Sequence, residues 1–434
     1  MPTIEKLSGR EILDSRGRPT VLATCTLEGG VSASASVPSG ASTGAAEAHE
    51  LRDADAQRYQ GLGCRQAVAN IGGAINDALA GRAFSDQAFS DQAFSSQREL
   101  DHAMIALDGT PAKSRLGANA ILAVSVAFAR ACALQRSIPL YQHFAEMLGV
   151  RATTLPRLTI NLFSGGKHAG QQVAVQDVLI IPMSARTIDE SLIAAFNVYQ
   201  AAAVLIFERY GMRLLTADEG GLAPPCKSTE EILGLAVEAI EQAGYKPGQD
   251  VFLGMDVAST HFYADHKYKL DREVLDSAGM IQKISTWLDR YPILSVEDGL
   301  AEDDWQNWPV LCKTIAGRAL TLGDDLLCTN PGRIQRAIET KACDALLLKV
   351  NQIGTLTEAL QAYRQARGAG WDVTVSVRSG ETEDNWAADL VVGWQADQFK
   401  NGSIRQSERL AKYNRLLEIE EATNWPLATW PKRG

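Results

Sequence analysis

Cysteine is scarce and scattered in this sequence. The seven cysteines among its 434 residues form no Cys-x-x-Cys pair, which argues against a zinc site or a disulfide framework and favours a reduced, cytoplasmic protein. A surplus of positive charge is also missing, because 42 Lys and Arg face 52 Asp and Glu, for a net charge of −10. This balance argues against nucleic acid and anionic membranes as partners.

Long apolar runs are missing too. The N-terminal stretch MPTIEKLSGREILDSRGRP is charged throughout and lacks the apolar segment of a secretory signal. The most apolar stretch, residues 119–134, is too short to span a bilayer and contains Arg130. We therefore expect a buried helix there, no membrane partner and a cytoplasmic location.

The sequence changes character near residue 150. Strand-like runs fill much of the first 60 residues, and helical segments follow from about residue 66 to residue 134. Beyond residue 150, short apolar runs alternate with amphipathic helical stretches. This alternation is typical of parallel βα units and predicts an α/β protein with a βα-barrel.

A five-residue unit repeats in tandem over residues 84–97, which read FSDQAFSDQAFSSQ. The unit is too short for a solenoid, whose repeats need about 20 residues or more. We expect a short duplication that lengthens a surface loop or the start of a helix.

Ionisable residues recur at the ends of the apolar runs. Asp256, Glu297, Asp324, Lys349 and Arg378 each stand at the C-terminal end of a run or just past it, and they are 41, 27, 25 and 29 residues apart. Each separation is about one βα unit. Because functional groups of βα-barrels lie on the C-terminal face, we expect these five side chains to converge there.

Three converging carboxylates suit a hard divalent cation such as Mg²⁺, which prefers oxygen ligands. A lysine beside that cation would have a lowered pKa, because the cation disfavours a second positive charge. The lysine could then act as a general base. A metal ion with a lysine base indicates removal of a proton next to a carboxylate.

Eleven stretches in this order resemble the enolase (phosphopyruvate hydratase) family from one end of the chain to the other. They are REILDSRGRPT (10–20), VPSGASTG (37–44), LDGTPAKSRLGANAILAVS (107–125), GGKHAG (165–170), DEGGLAP (218–224), GMDVAST (254–260), SVEDGLAEDDW (295–305), GDDLLCTNP (323–331), LLLKVNQIGT (346–355), RSGETED (378–384) and SERLAKYN (407–414). The resemblance implies an α+β capping domain over residues 1–140. It also implies a (β/α)8-type barrel with a C-terminal helix over residues 141–434.

The resemblance further implies a metal site and two catalytic groups. Asp256, Glu297 and Asp324 would ligate a tightly held Mg²⁺. Lys349 would remove the C2 proton of 2-phosphoglycerate, and Glu219 would assist loss of the C3 hydroxyl as general acid. The products would be phosphoenolpyruvate and water, in a glycolytic reaction.

Other residues would bind the substrate, a small phosphorylated carboxylate. Lys400 would bind its carboxylate with Gln176 nearby, and Arg378 and Ser379 would hold its phosphate. His168 and the loop of Ser39 would close over the substrate, with Ser39 helping to hold a second Mg²⁺. Family members are commonly dimers, or octamers built from dimers, so a homodimer is expected.

Two positions depart from the family pattern. The family reads SHRSGETED where this chain has Ser376-Val377-Arg378-Ser379, so Val377 replaces a histidine. The family also has glutamate after Gln176, where this chain has Asp177. Val377 has no polar group, and Asp177 is shorter by one bond of about 1.5 Å. A misplacement of about 1 Å can cost about a hundredfold in rate.

Three functions stay open from the sequence. The first is a working enolase whose acid side is altered at Val377 and Asp177, with Asp177 among its catalytic groups. The second is a paralogue with a modified reaction on a phosphoglycerate-like substrate, such as carboxyphosphonoenolpyruvate synthase. The third is a non-catalytic protein on an enolase scaffold, against which the intact Lys349, Glu219 and metal ligands argue.

Overall fold

The computed structural model describes residues 1–41, 44–84 and 95–431. Its N-terminal part opens with an antiparallel sheet of β1 (Ile4–Leu13), β2 (Pro19–Leu27) and β3 (Ser32–Ser36). The helices of this part are α1 (Arg65–Asn70), α2 (Asn76–Leu79), α3 (Ser95–Asp108), α4 (Ala118–Gln135) and α5 (Leu140–Leu148). The tandem repeat lies mostly outside the described residues, and α3 begins within its last unit.

The remaining strands are β4 (Arg157–Ser164), β5 (Asp177–Pro182), β6 (Val251–Asp256), β7 (Tyr263–Ala264), β8 (Lys267–Leu270), β9 (Glu273–Leu275), β10 (Ile293–Glu297), β11 (Leu320–Gly323), β12 (Ala345–Leu348), β13 (Asp372–Ser376) and β14 (Gln398–Lys400). Strands β7 to β9 form a small antiparallel sheet. The other eight close into a barrel in the order β4-β5-β6-β10-β11-β12-β13-β14. The predicted α/β class and barrel are therefore confirmed.

Helices surround this barrel. They are α6 (Ile188–Tyr210), α7 (Thr229–Gln242), α8 (Ser277–Arg290), α9 (Trp308–Ile315), α10 (Pro331–Thr340), α11 (Val350–Ile353), α12 (Leu356–Gly368), α13 (Trp386–Gly393) and α14 (Ser407–Thr423). Side-chain caps begin several of them: the hydroxyls of Thr187, Ser228 and Thr355 each accept a hydrogen bond from the backbone N–H three residues on. Helix α13 packs against α5 and so joins the barrel to the N-terminal part.

One strand contradicts the expectation of parallel βα units. Strand β5 runs antiparallel to both β4 and β6. Only twelve residues, 165–176, connect β4 to β5, and they contain a single short helical turn, Gly166–His168. A parallel return usually uses a helical crossover, and the single turn in these twelve residues is too short to serve as one, so the chain turns back instead.

Two helices, α4 and α6, reach the length and hydropathy of a membrane-crossing segment. In α4, 83% of the most apolar window is buried, and in α6 the share is 50%. The buried side chains Val21, Ala23 and Cys25 alternate along β2, which packs against α4. The prediction of a buried helix over residues 119–134 is therefore confirmed. The domain division at residue 140 stays a proposal.

Candidate active site

Five ionisable side chains meet at the C-terminal mouth of the barrel. Asp256, Glu297 and Lys400 are the last residues of β6, β10 and β14. Asp324 directly follows β11, and Lys349 directly follows β12. The carboxyl ends of parallel barrel strands open on one face, so this placement brings the five together. We call them the carboxylate–lysine group.

The two lysines of this group bind its three carboxylates. Lys400 Nζ donates to Asp256 Oδ2 at 2.9 Å and to the two carboxylate oxygens of Glu297 at 2.7 and 2.8 Å. Lys349 Nζ donates to Asp324 Oδ2 at 2.5 Å. Except for Lys349, which is partly buried, the group is almost inaccessible to solvent. Charge-assisted bonds of this kind hold the side chains in one arrangement.

Burial and mutual charge set the protonation of this group. Burial raises the pKa of Glu297 well above its ordinary range, and the Asp256 carboxylate adds to the effect. Burial also acts on Asp256, but Lys400 outweighs it and lowers the pKa of Asp256 to about 2. Burial lowers the pKa of Lys349, and Asp324 more than offsets this, so it is raised overall. The lowered pKa of Lys349 that the sequence predicts would require a bound cation that offsets the negative charge of Asp324.

The residues fit a divalent cation. Asp256 and Glu297 both bond to the single ammonium of Lys400, so their oxygens converge on one positive charge. Asp324 also offers carboxylate oxygens, the ligand type that Mg²⁺ prefers. The group contains three carboxylates and two lysines, so one carboxylate charge is left over within it. The assignment of Asp256, Glu297 and Asp324 as the ligands that would hold Mg²⁺ stays a prediction. Asp324 also belongs to a second acidic set with Asp298 and Asp325, in which one carboxylate oxygen from each residue lies within 4.8 Å of the others.

A second group lies beside the first at the mouth. Because β5 is antiparallel, its first residue, Asp177, lies beside Asp256 at this same end. The Asp177 carboxylate accepts hydrogen bonds from Asn161 Nδ2 and Ser164 Oγ, both at 2.7 Å, and bonds to His168 Nδ1 at 3.1 Å. The Asp177 carboxylate is thus held by three polar side chains, and it orients the His168 imidazole.

Glu219 completes this side. One ligand atom from each of His168, Asp177 and Glu219 lies within 4.8 Å of the others. Burial lowers the pKa of His168, but Asp177 outweighs burial and raises it to about 9. Burial raises the pKa of Asp177, yet its hydrogen-bond donors favour the ionised form. We therefore assign His168 as a charged imidazolium and Asp177 as an ionised carboxylate.

Val377 lies where the family pattern has histidine. Its side chain is buried and lines the same small cavity as His168, Glu219 and Lys349. Its backbone N–H donates to the carbonyl of Lys400 at 3.4 Å, but its side chain offers no polar contact. We call His168, Asp177, Glu219 and Val377 the histidine group.

Arg378 and Ser379 stand just past β13. Arg378 forms a two-pronged ion pair with Glu47 at 2.9 and 3.1 Å and also donates to Asn351. The Ser379 hydroxyl accepts from Arg16 Nη1 at 3.2 Å and from the backbone of the 38–44 loop. Burial lowers the pKa of the Arg378 guanidinium, but Glu47 outweighs burial and raises it above its ordinary value. Arg378 is therefore a charged guanidinium that can bind an anion.

Gln176 and Ser39 have different surroundings. Gln176 Nε2 donates to Asp256 Oδ2 at 3.2 Å, and its Oε1 is buried without a hydrogen-bond partner among the described residues. The Ser39 hydroxyl donates to Glu50 at 3.1 Å and accepts from Arg52 at 2.7 Å. Gln176 therefore joins the carboxylate–lysine group, whereas Ser39 bonds to other partners, and its role at a second Mg²⁺ stays a prediction.

Sequence comparison agrees with this arrangement. The C-terminal TIM barrel domain of enolase matches residues 152–425, and the N-terminal domain of enolase matches residues 4–144. The chain belongs to the enolase family. This membership supports a lyase-type enzyme, and enolases typically use Mg²⁺. The resemblance inferred from the eleven sequence stretches is thereby confirmed.

Several residues of this enolase-family site were not identified from the sequence. Asp298 Oδ1 and Oδ2 accept from the backbone N–H groups of Asp324 and Asp325 at 3.0 and 2.7 Å. Gln352 Nε2 donates to Asp324 Oδ1 at 2.8 Å. Arg409 donates to the carbonyl of Arg378 at 2.9 Å. The paired acids in VED and GDD were the available signal for Asp298 and Asp325. Gln352 and Arg409 lie within the family-like stretches LLLKVNQIGT and SERLAKYN, which were the available signal for them.

The cavity among these enolase side chains is small. It measures about 20 Å³ and is lined by both groups, which is room for about one water molecule. Ala41 and His168, from the two loops that the family resemblance predicts to close over a substrate, form part of its wall.

Proposed function

We propose that this protein is a Mg²⁺-dependent enolase that removes the C2 proton of 2-phosphoglycerate and gives phosphoenolpyruvate and water. The observation that carries the proposal is the carboxylate–lysine group, in which the partly buried amine of Lys349 bonds to Asp324 while Lys400 bonds to Asp256 and Glu297. A base next to a cation-binding site suits proton removal beside a carboxylate.

Substrate binding requires two ion pairs to be exchanged. Arg378 would release Glu47 and take the phosphate, for which its planar guanidinium is well shaped. Lys400 would turn from Asp256 and Glu297 to the substrate carboxylate. Bound Mg²⁺ would supply the positive charge that stabilises the carboxylate as the C2 proton leaves.

The histidine group would handle the leaving hydroxyl. Lys349 Nζ accepts the C2 proton, the C2–C3 double bond forms, and the C3 oxygen departs as water after it receives a proton. The donor is the imidazolium of His168, which Asp177 orients and keeps charged. Burial raises the pKa of Glu219, but Arg409 and the other nearby cations outweigh burial and lower it, so Glu219 would donate only after it has itself taken up a proton. His168 thus supplies the donor that Val377 does not.

The direct test follows the ultraviolet absorbance of phosphoenolpyruvate in a mixture of purified protein, Mg²⁺ and 2-phosphoglycerate. We expect turnover that stops when EDTA removes the metal and returns when Mg²⁺ is added in excess. Absence of turnover, with exchange of the C2 proton into deuterated water retained, would reject the dehydration. Absence of turnover, exchange and metal binding together would indicate a non-catalytic scaffold.

A second candidate is a modified reaction on a phosphoglycerate-like substrate, of the carboxyphosphonoenolpyruvate synthase type. One observation favours it: Val377 puts an apolar side chain on the wall that would face the C3 end. The carboxylate–lysine group would act as before, and only the departing group would differ. Proton exchange without formation of phosphoenolpyruvate is its expected signature.

We also propose a cytoplasmic homodimer, or an octamer built from dimers. Helix α6 exposes Ile193, Phe196 and Phe207, whose side chains are 51%, 54% and 65% accessible in the single chain. Exposed apolar side chains in a row on one helix are typical of a subunit interface. Light scattering at micromolar concentration should give a mass of at least two chains, and a stable monomer would reject this assembly.

A further inference from the structure

A second cavity lies behind the loop that carries His168. It measures about 410 Å³ and is bounded by residues 166–174, by the 259–262 turn and by the small sheet that contains β8. This volume falls within the range of about 300–1,000 Å³ for small-molecule sites. It is far larger than the cavity of about 20 Å³ at the barrel mouth.

Four cationic residues line this second cavity: Lys167, Lys227, Lys269 and Arg272. Within the described residues, none of their side chains forms an ion pair or hydrogen bond. They are exposed, in a protein whose net charge is −10. Among nearby acids, Glu231 interacts with Lys227, whose charge contributes to lowering the Glu231 pKa against the effect of burial. Cations gathered on a concave surface in excess over acids raise the local positive potential and attract anions.

The single acid on this wall does not neutralise them. Asp271 Oδ1 accepts from the backbone N–H of Ala174 at 2.9 Å. Its Oδ2 accepts from the backbone N–H of Thr229 at 2.7 Å and from the Thr229 hydroxyl at 2.9 Å. The Asp271 carboxylate thus links the 166–174 loop to the first residue of α7 by hydrogen bonds. At most one of the four positive charges is offset by it.

The pKa of His261 is affected by one of these cations. Burial lowers the pKa of His261 to about 4, and the charge of Lys167 contributes to the lowering. Its Nδ1 is buried without a hydrogen-bond partner among the described residues. The imidazole is therefore neutral, which leaves lysine and arginine as the cations of this cavity.

We propose that this cavity is a binding site for an oligophosphate anion. Four converging cations match the three to five negative charges of a chain of two or three phosphates, and lysines bind phosphate as point charges. Lys167 and His168 are neighbours in one helical turn. Occupation of the cavity therefore restrains the loop that closes the barrel mouth. The binding itself does not depend on the reaction proposed above.

The test is calorimetric titration of the full chain with sodium tripolyphosphate, in buffer without divalent cations. We expect saturable binding, and we expect Lys227→Gln/Lys269→Gln/Arg272→Gln to weaken it about tenfold or more. These side chains are exposed, so an unchanged melting temperature should accompany the loss. Absence of saturable binding to the unmodified protein would overturn the proposal.

Two controls separate this site from general charge and from the barrel mouth. Lys6→Gln/Lys246→Gln/Lys313→Gln removes three exposed charges elsewhere and should change the affinity less than about threefold. Arg378→Gln removes the candidate phosphate ligand of the barrel mouth and should leave this affinity unchanged. Equal loss in both triple variants, or loss in Arg378→Gln, would contradict the assignment.

Two further measurements test which class of anion binds and whether binding restrains the 165–176 loop. Citrate should bind about tenfold more weakly than tripolyphosphate, and equal binding would reject an oligophosphate site. Hydrogen exchange of the backbone amides of residues 165–176 should slow when tripolyphosphate is added, but not in the Lys227/Lys269/Arg272 variant. Unchanged exchange in the unmodified protein would contradict the restraint of the loop.

Discussion

The two sides of the barrel mouth are built differently. The carboxylate–lysine group stands on the ends of parallel strands or directly after them, and its residues match the family pattern at every position. The histidine group stands on a connecting loop, on the antiparallel strand β5, on the 216–222 loop and just past β13. It contains both positions that depart from the family pattern.

This difference separates two tasks. In the proposed reaction, the first group would supply a base and a cation site, which any reaction that begins with removal of the C2 proton needs. The second group would meet the part of the substrate that leaves. In this chain it keeps a carboxylate and a charged imidazole while losing one histidine. We infer that the first step is preserved and that the second step depends on His168.

The strongest test of the carboxylate–lysine group is Lys349→Met. We expect kcat to fall about 10³- to 10⁴-fold, since a general base typically contributes about 10²- to 10⁴-fold. Exchange of the C2 proton should be lost to the same extent. Steady-state kinetics and exchange into deuterated water provide the measurements.

Lys113→Met is the matched control, because Lys113 is also buried and paired, to Glu358 at 2.9 Å, but lies outside the site. Its kcat should stay within about twofold of the unmodified protein while its stability falls. Retained proton exchange in Lys349→Met would break the comparison, because the base would then lie elsewhere.

The next effect concerns the histidine group. His168→Gln should lower kcat about a hundredfold, the lower end of the range for a lost proton donor. Exchange of the C2 proton should fall much less, because Lys349 remains. Equal losses of exchange and turnover would show that the two sides do not act separately.

The charge of His168 gives a prediction for pH. Its pKa of about 9 lies above the ordinary value of about 6.5, so the folded state binds the proton more tightly. His168 therefore contributes stability that is fully present below about pH 6.5 and is lost as the pH rises through about 9. NMR titration of labelled histidine should show this pKa, and Asp177→Asn should lower it toward 6.5. An unchanged pKa in Asp177→Asn would contradict the orienting role of Asp177.

The smallest expected effect is a gain. Val377→His with Asp177→Glu restores both family residues and should raise dehydration about tenfold, since displacements of about 1 Å can cost about a hundredfold. The measurement is kcat with 2-phosphoglycerate, and Val377→Leu with Asp177→Glu is the control for packing. A double variant less active than its parent would show that this site is adapted to another leaving group.

Much of this site follows from local sequence patterns. Asp256, Glu297, Asp324 and Lys349 could be placed at one mouth because apolar runs of strand length end at them and are spaced by about one βα unit. The same reasoning treated residues 178–183 as another parallel strand. That was wrong, because the direction of a strand depends on the connection before it. The ion pair between Arg378 and Glu47 joins residues that are far apart in sequence, so no local sequence pattern could predict it.

The sequence by itself indicated the fold class, the enolase family and four members of the carboxylate–lysine group, Asp256, Glu297, Asp324 and Lys349, because hydrophobic periodicity and short motifs are local properties of a chain. Lys400 was expected only from the family resemblance, and it takes the place in this group that the strand-end pattern gave to Arg378. Only the tertiary structure decided the reversed direction of β5, the hydrogen bonds that draw Asp177 to His168 and the four cations around the second cavity. These features depend on which distant segments become neighbours. Burial and charge act through those neighbours, and they decide which of the side chains stay charged and which remain without a partner.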